Sequence, residues 1–235
     1  MAFQIAIDGP VAAGKGTVAW LVAKRLGFLY VDTGAMYRAT AYLAAQKGIE
    51  FDDETKIVAA LKQSEIELRN PLPEEQDGRL TTVVLDGIDV SWKIRTSAMG
   101  SGGSDVSALA GVRSALVAQQ QSIAASQNVV IEGRDIAIRV LPQAQLKYFL
   151  TANELVRAKR RQLELQTHGQ DVPFSQVLEE MLQRDYNDSH RKVDPLQVTD
   201  EHILIDTSDL GVEKVVDLIV TKAKMMMDLE HDANK

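Results

Sequence analysis

The chain has 235 residues, 45% of them hydrophobic, no cysteine and a formal net charge of −7. That length can bury one substantial core with room for a small inserted subdomain, and the missing cysteines exclude disulfides and thiolate metal sites. The acidic balance argues against a nucleic-acid-binding protein, and no apolar run reaches the length that spans a membrane.

The first predicted element is a strand over Phe3–Asp8, and the first predicted helix carries Val18, Leu21, Val22 and Leu26 on one face. Between them runs Gly9-Pro10-Val11-Ala12-Ala13-Gly14-Lys15-Gly16-Thr17. Glycines let a backbone curl around an anion, and the amides at the helix start then point at phosphates, aided by the helix dipole. Lys15 supplies a flexible point charge for the distal phosphates. In strand–loop–helix context this is a phosphate-binding loop. Gly16 stands where the general motif has its Ser or Thr, and the hydroxyl arrives at Thr17. The direct protein ligand to Mg²⁺ is therefore missing from its usual place, and the ion is expected to ride on phosphate oxygens and water, with no metal site of the protein's own. The form Gly-x4-Gly-Lys-Gly-Thr resembles the nucleoside-monophosphate kinases more than GTPases or motor ATPases. Asp8 and the following glycines interrupt the N-terminal apolar stretch too early for a secretion signal, so a cytoplasmic protein is expected.

Phe28–Val31 reads as a second strand, and Asp32-Thr33-Gly34 caps a helix running to about Lys47-Gly48. The stretch from Glu50 to Arg95 breaks the rhythm. Ile66 and Leu68 alternate with polar residues, and Leu80–Leu85 and Ile88–Val90 flank an Asp86-Gly87 hairpin turn. After a Gly/Ser-rich bend at Ser101–Ser104 come a helix over Asp105–Ser126, strands at Val129–Glu132 and Leu146–Leu150, and helices at Asn153–Thr167 and Phe174–Asn187. A fifth strand at Ile203–Asp206 and a helix over Val212–Leu229 complete the pattern. Strands alternating with helices predict an α/β fold: a P-loop NTPase-type, doubly wound, five-stranded parallel sheet with a small antiparallel β insertion and a helical lid. The expected divisions are a core over 1–49, 96–152 and 188–235, the insertion over 50–95 and an arginine-rich lid over 153–187. No exposed apolar stripe is evident, which points to a monomer.

Ligands of open α/β sheets bind beyond the carboxyl ends of strands, and arginines recur there. Arg38, beside Tyr37, follows the second strand; Arg113 lies on the helix after the Gly/Ser bend; Arg134 and Asp135 follow the third strand. Together they suit a second anion, since guanidinium grips phosphate bidentately. Arg157, Arg160 and Arg161 share one helical face, where like charges repel unless a polyphosphate reverses the sign. Arg184, Asp188 and Arg191 fall at i, i+4 and i+7 on another, either as an internal ion-pair network or as a grip on phosphate and sugar, with Asp185 pointing elsewhere. The loop His168–Pro173 between the two lid helices would act as a hinge, closing the site against water. The four histidines show no metal-ligand spacing. A phosphate acceptor is already an oxyanion, so no general base is required.

These residues taken together resemble the bacterial cytidylate kinases over nearly the whole chain. The motifs that carry the likeness are Asp8-Gly9-Pro10, Gly14-Lys15-Gly16-Thr17, Asp32-Thr33-Gly34-Ala35-Met36-Tyr37-Arg38, Gly133-Arg134-Asp135 and Arg184 through Arg191. The insertion before Trp92-Lys93-Ile94-Arg95 matches the bacterial type. The resemblance implies ATP on the loop, with its Mg²⁺, and CMP or dCMP as acceptor. It implies that Tyr37, Arg38, Arg134 and Arg191 hold the acceptor phosphate. By the same carry-over Ser104, Arg113 and Asp135 read the cytosine edge, and Arg184 and Asp188 meet the ribose. It assigns Lys15, Arg157, Arg160 and Arg161 to stabilising the transferring group. Thr33 stands where the family often has Ser, Glu132 where it usually has Asp, and 99–104 is glycine-richer than the family's Ala-rich stretch.

Overall fold

The computed structural model describes residues 2–75, 77–167 and 169–233. Its strands and helices are β1 (Gln4–Asp8), α1 (Lys15–Leu26), β2 (Leu29–Asp32), α2 (Thr33–Gln46), α3 (Glu54–Leu61), β3 (Ile66–Arg69), β4 (Thr82–Leu85), β5 (Ile88–Asp89), α4 (Ser97–Ser107), α5 (Ala110–Ser126), β6 (Val129–Gly133), β7 (Leu146–Thr151), α6 (Glu154–Thr167), α7 (Phe174–His190), β8 (Ile203–Asp206) and α8 (Val212–Ala233). The main sheet is parallel, in the order β2-β6-β1-β7-β8. A sheet covered by helices on both faces needs apolar side chains on both, and the inner strands obey this. Ala6, Val31 and Ile131 pack with α2, α4 and α5 on one side, while Ile5, Ile7 and Val130 pack with α1 and α8 on the other. The register sets Asp8 beside Gly133 and Asp32 beside Glu132, so the carboxyl ends of β1, β2 and β6 are level. That row is the floor of the site.

The smaller sheet is antiparallel, β3-β4-β5. Asp86 and Gly87 both have positive φ (49° and 79°), the pairing a type I′ hairpin turn requires. Its apolar residues Leu68, Val83 and Leu85 join the same core cluster as α2 and α5. Within the stretch that breaks the strand–helix rhythm lies a helix the pattern did not announce, α3, capped by Asp53 accepting from the Lys56 amide at 3.1 Å.

The expected bend is overturned. The Gly/Ser-rich segment at 101–104 is not a bend but the middle of α4, which ends three residues before α5 begins. Thr96 caps α4, accepting from the Met99 amide at 3.3 Å. The glycines serve close approach: a Cβ on Gly102 would fall 2.5 Å from the Phe51 ring, and one on Gly103 would fall 3.0 Å from Arg38 Cγ. Glycine composition suggested a turn, but here tertiary packing decided. α7 also runs past Asn187 to His190, through the expected boundary between lid and core. His168, part of the expected hinge, lies outside the described residues.

Candidate active site

The loop after β1 owes its shape to backbone that only certain residues tolerate. Gly9 has a φ of 145°, and a Cβ there would lie 2.0 Å from the Leu150 carbonyl oxygen, so no other residue fits. Ala12 (58°) and Gly14 (87°) are left-handed, and Gly14 turns the chain directly into α1. Lys15 opens that helix almost fully buried, its Nζ donating to the Pro10 carbonyl at 2.8 Å. Burial, reinforced by Arg134, lowers its pKa to about 7. An anion beside Lys15 would restore the charge. Val11, Pro10, Ala13 and Gly16 complete the loop, while Thr17 is exposed on the first turn of the helix.

Asp8, fully buried at the end of β1, ties this loop to the neighbouring strand. Its two carboxylate oxygens accept from the Ile136 and Ala137 amides at 2.8 and 2.9 Å. These amides start a wide helical turn (Ile136–Val140) directly after Arg134 and Asp135. His202 Nε2 lies 3.3 Å from Asp8, with Nδ1 accepting from the Thr199 amide at 3.0 Å.

Across the sheet end stand the arginines, all but Arg184 paired with a carboxylate. Arg38 Nη2 pairs with Asp32 at 2.8 Å, and Asp32 also caps α2 by accepting from Ala35. Burial alone would raise the Asp32 carboxyl, but Arg38 and the Ala35 amide hold it below the ordinary range. Arg134 Nε donates to Asp188 at 2.7 Å. Arg113, the largest side chain that is fully buried, pairs with Asp135 through Nη2 and with Asp194 through Nε at 3.1 Å. Arg191 Nη2 reaches the other oxygen of Asp135 at 3.1 Å. Burial raises the Asp135 carboxyl despite both arginines. The Arg113 guanidinium also sits 5.8 Å from the Tyr37 ring centroid, and burial pushes the Tyr37 hydroxyl to about 12. Arg184 is held on α7 one turn from Asp188. Its Nε is buried without a partner among the described residues, and burial followed by Arg134 lowers its pKa to about 10. Arg38 Nε is buried and unpartnered in the same sense.

The structure thus gathers Arg134, Glu132, Asp188 and Arg184 around Lys15, with Arg38 near Arg184 and Glu132, and groups Tyr37, Arg113, Asp135 and Arg191 together. Arg191 joins its group from extended backbone just past α7, not from the helical face its spacing suggested. Ser104 lies half-buried on α4, its carbonyl accepting from the Ser107 hydroxyl. Thr33 donates to the Glu132 carbonyl at 2.8 Å, fastening α2 to β6.

The lid arginines do not act as one face. Arg157 is buried, giving Nε to the Ala152 carbonyl and Nη1 to the Val11 carbonyl at 3.0 Å and to Asp185. Asp185 also accepts from the Val11 amide, so the residue expected to point elsewhere ties α6 and α7 to the loop. Arg160 holds Thr207, and Arg161 pairs with Glu164 at the surface. Sequence reasoning gave no role to Asp185 or Asp194. Asp32 was legible as a cap, though not as an arginine partner.

Comparison with known proteins identifies the family of the chain. The family model described as cytidylate kinase matches residues 5–225. A cytidylate kinase of Caldanaerobacter subterraneus subsp. tengcongensis is 47% identical over 216 residues, covering 92% of each protein. One from Lysinibacillus sphaericus is 45% identical over 224 residues, covering 95% of this chain and 97% of its own. Among solved structures, an uncharacterized protein from Eubacterium ventriosum aligns over 96% of this chain and 99% of its own with a TM-score of 0.52 at 15% identity, a likeness of fold alone.

Proposed function

The chain belongs to the cytidylate kinase family, and from that premise we propose that it transfers the terminal phosphoryl group of ATP to CMP and dCMP, giving CDP and dCDP. The observation that carries this reading is convergence. Lys15 of the donor loop lies within electrostatic reach of Arg134 and Arg184, which belong to a second cationic site on different elements. Two anions drawn to these sites would face one another. The acceptor phosphate is an oxyanion at neutral pH, so positioning and charge neutralisation suffice for transfer.

In this reading Arg38, Arg134, Arg191 and Tyr37 hold the acceptor phosphate, and Arg184 and Asp188 meet the ribose. Asp135 accepts from the cytosine amino group, while Arg113 and Ser104 donate to N3 and O2. Arg157 touches the donor loop directly, whereas Arg160 and Arg161 must leave Thr207 and Glu164 to reach a transferring group. Mg²⁺ fits the donor set only through the nucleotide. Gly16 has no hydroxyl to offer, but a Cβ there would be 3.7 Å from Glu132 Oε1, so this carboxylate is the group to hold a metal-bound water. Burial, then Asp32, raises the Glu132 carboxyl. When bound, the ion neutralises charge on the phosphates. A cytoplasmic monomer is the form in which we expect this activity.

A coupled phosphotransfer assay with CMP, dCMP, UMP and AMP as acceptors tests the reading. CMP and dCMP should exceed the others by about tenfold or more in kcat/KM, the scale of a lost bidentate contact. Equal rates with all four would overturn it.

A further inference from the structure

Beside the arginine site the chain passes through Asp194 with a φ of 47°, immediately before Pro195. A left-handed backbone is uncommon for a residue with a side chain, and a following proline narrows its choices further. Strain of this kind persists where the surroundings impose it. Here the surroundings are three arginines. Asp194 Oδ2 accepts from Arg113 Nε at 3.1 Å, its Oδ1 lies 3.4 Å from Arg139 Nε, and its carbonyl accepts from Arg191 Nε at 2.6 Å. The outer nitrogens of two of them then share one target: Arg113 Nη2 and Arg191 Nη2 donate to the two oxygens of Asp135. A guanidinium is a rigid planar fork, so fixing its Nε fixes where its Nη atoms aim.

We propose that Asp194 is a specificity-determining positioning residue, which holds Arg113 by its carboxylate and Arg191 by its carbonyl so that both aim at the pocket around Asp135. This rests on the reading of that pocket as the place where the acceptor base is recognised. Asp194 itself touches no substrate. Without its carboxylate, Arg113 keeps Asp135 at Nη2 and a long contact from Nη1 to the Ser107 carbonyl at 3.4 Å, but loses the restraint on its Nε. Recognition of the acceptor then loosens, while the donor loop, built on other elements, is untouched.

Two variants separate the carboxylate from the backbone. Asp194→Gly adopts the left-handed conformation freely and removes the carboxylate; Asp194→Asn tolerates the backbone and keeps a neutral oxygen. Steady-state rates are measured with CMP, UMP and ATP varied in turn. In Asp194→Gly the KM for CMP should rise about tenfold and the CMP-over-UMP ratio of kcat/KM should fall by a similar factor, the loss expected for one charge-assisted hydrogen bond. Its kcat at saturating CMP and its KM for ATP should stay within about twofold of wild type, and Asp194→Asn should fall between the two. A wild-type CMP KM and selectivity in Asp194→Gly would overturn the proposal. So would a uniform loss of kcat with every substrate, which marks a merely structural role. Should Asp194→Gly fail to fold, the same criteria apply to Asp194→Asn. A wild-type protein with no preference for CMP over UMP would instead overturn the functional reading on which the proposal rests.

Discussion

The two anion sites proposed at the end of the sheet are built by opposite means. The donor loop is one contiguous segment whose cradle is backbone, shaped by the left-handed Ala12 and Gly14 and by the contact of Gly9 with Leu150, and it carries a single cation, Lys15. The proposed acceptor site is assembled from side chains on α2, α5, α7 and the segments after β6 and α7, and its arginines are largely paired with Asp32, Asp135, Asp188 and Asp194. A buried ammonium without an ion pair sheds its proton readily, and burial followed by Arg134 brings Lys15 to about 7. Paired guanidiniums keep theirs and are held in place before any ligand arrives. The first site trades stability for a cation poised to respond to phosphate. On the proposed reading the second uses carboxylates to preorganise donors, and an incoming nucleotide would compete for the Nη atoms that Asp135 now holds.

That contrast can be broken in three ways. The largest effect is expected at the donor site: Lys15→Ala should lower kcat by about a thousandfold, the scale of a lost transition-state cation, yet leave the thermal midpoint unchanged or raised because an uncompensated buried charge disappears. A marked fall in midpoint would show that Lys15 is structural. The acceptor site should respond the other way. Asp188→Ala strips Arg134 of its partner and should destabilise the free protein by about 3 kcal/mol in urea denaturation, as removing one member of a buried pair does; a loss below about 1 kcal/mol would mean these pairs do not preorganise the site. The smallest effect is protonic. Nucleotide on the loop should lift the Lys15 pKa from about 7, so binding should take up a fraction of a proton at pH 8, where the free amine is mostly neutral, and almost none at pH 6. Calorimetry of a non-hydrolysable ATP analogue in buffers of different ionisation heat measures this, and Lys15→Met should abolish it. Equal uptake at both pH values would contradict the depressed lysine.

The same contrast decided what could be read from the sequence. The loop is local, so the order of its residues carried nearly all of its information, and the Asp86-Gly87 turn was legible for the same reason. The strands were found because buried parallel strands are short apolar runs, although their order is a matter of tertiary contact. The arginines were found as residue types at strand ends, but their partners were not, since Asp188 reaches Arg134 and Asp194 reaches Arg113 only in the fold. Gly102 and Gly103 were misread because a glycine needed for close helix packing looks, in one dimension, like a glycine needed for a turn. Periodicity left Asp185 aimed away from the site, because helical spacing gives a direction around an axis without saying what stands there. Asp194 gave no local signal at all, since nothing about an aspartate before a proline announces a left-handed backbone.

Asp8 has a consequence that concerns length. One oxygen holds Ile136 and the other Ala137, so the residue that launches the donor loop also suspends the turn beyond Arg134 and Asp135. Together with the ladder that sets Asp8 beside Gly133, this two-carbon strut braces the loop against the turn that follows Arg134 and Asp135. Phosphoryl transfer is sensitive at the ångström scale, where a misplacement of about 1 Å costs roughly a hundredfold. On the proposed reading the gap between the two substrates rests in part on the shortest acidic side chain, at the point where the two segments meet.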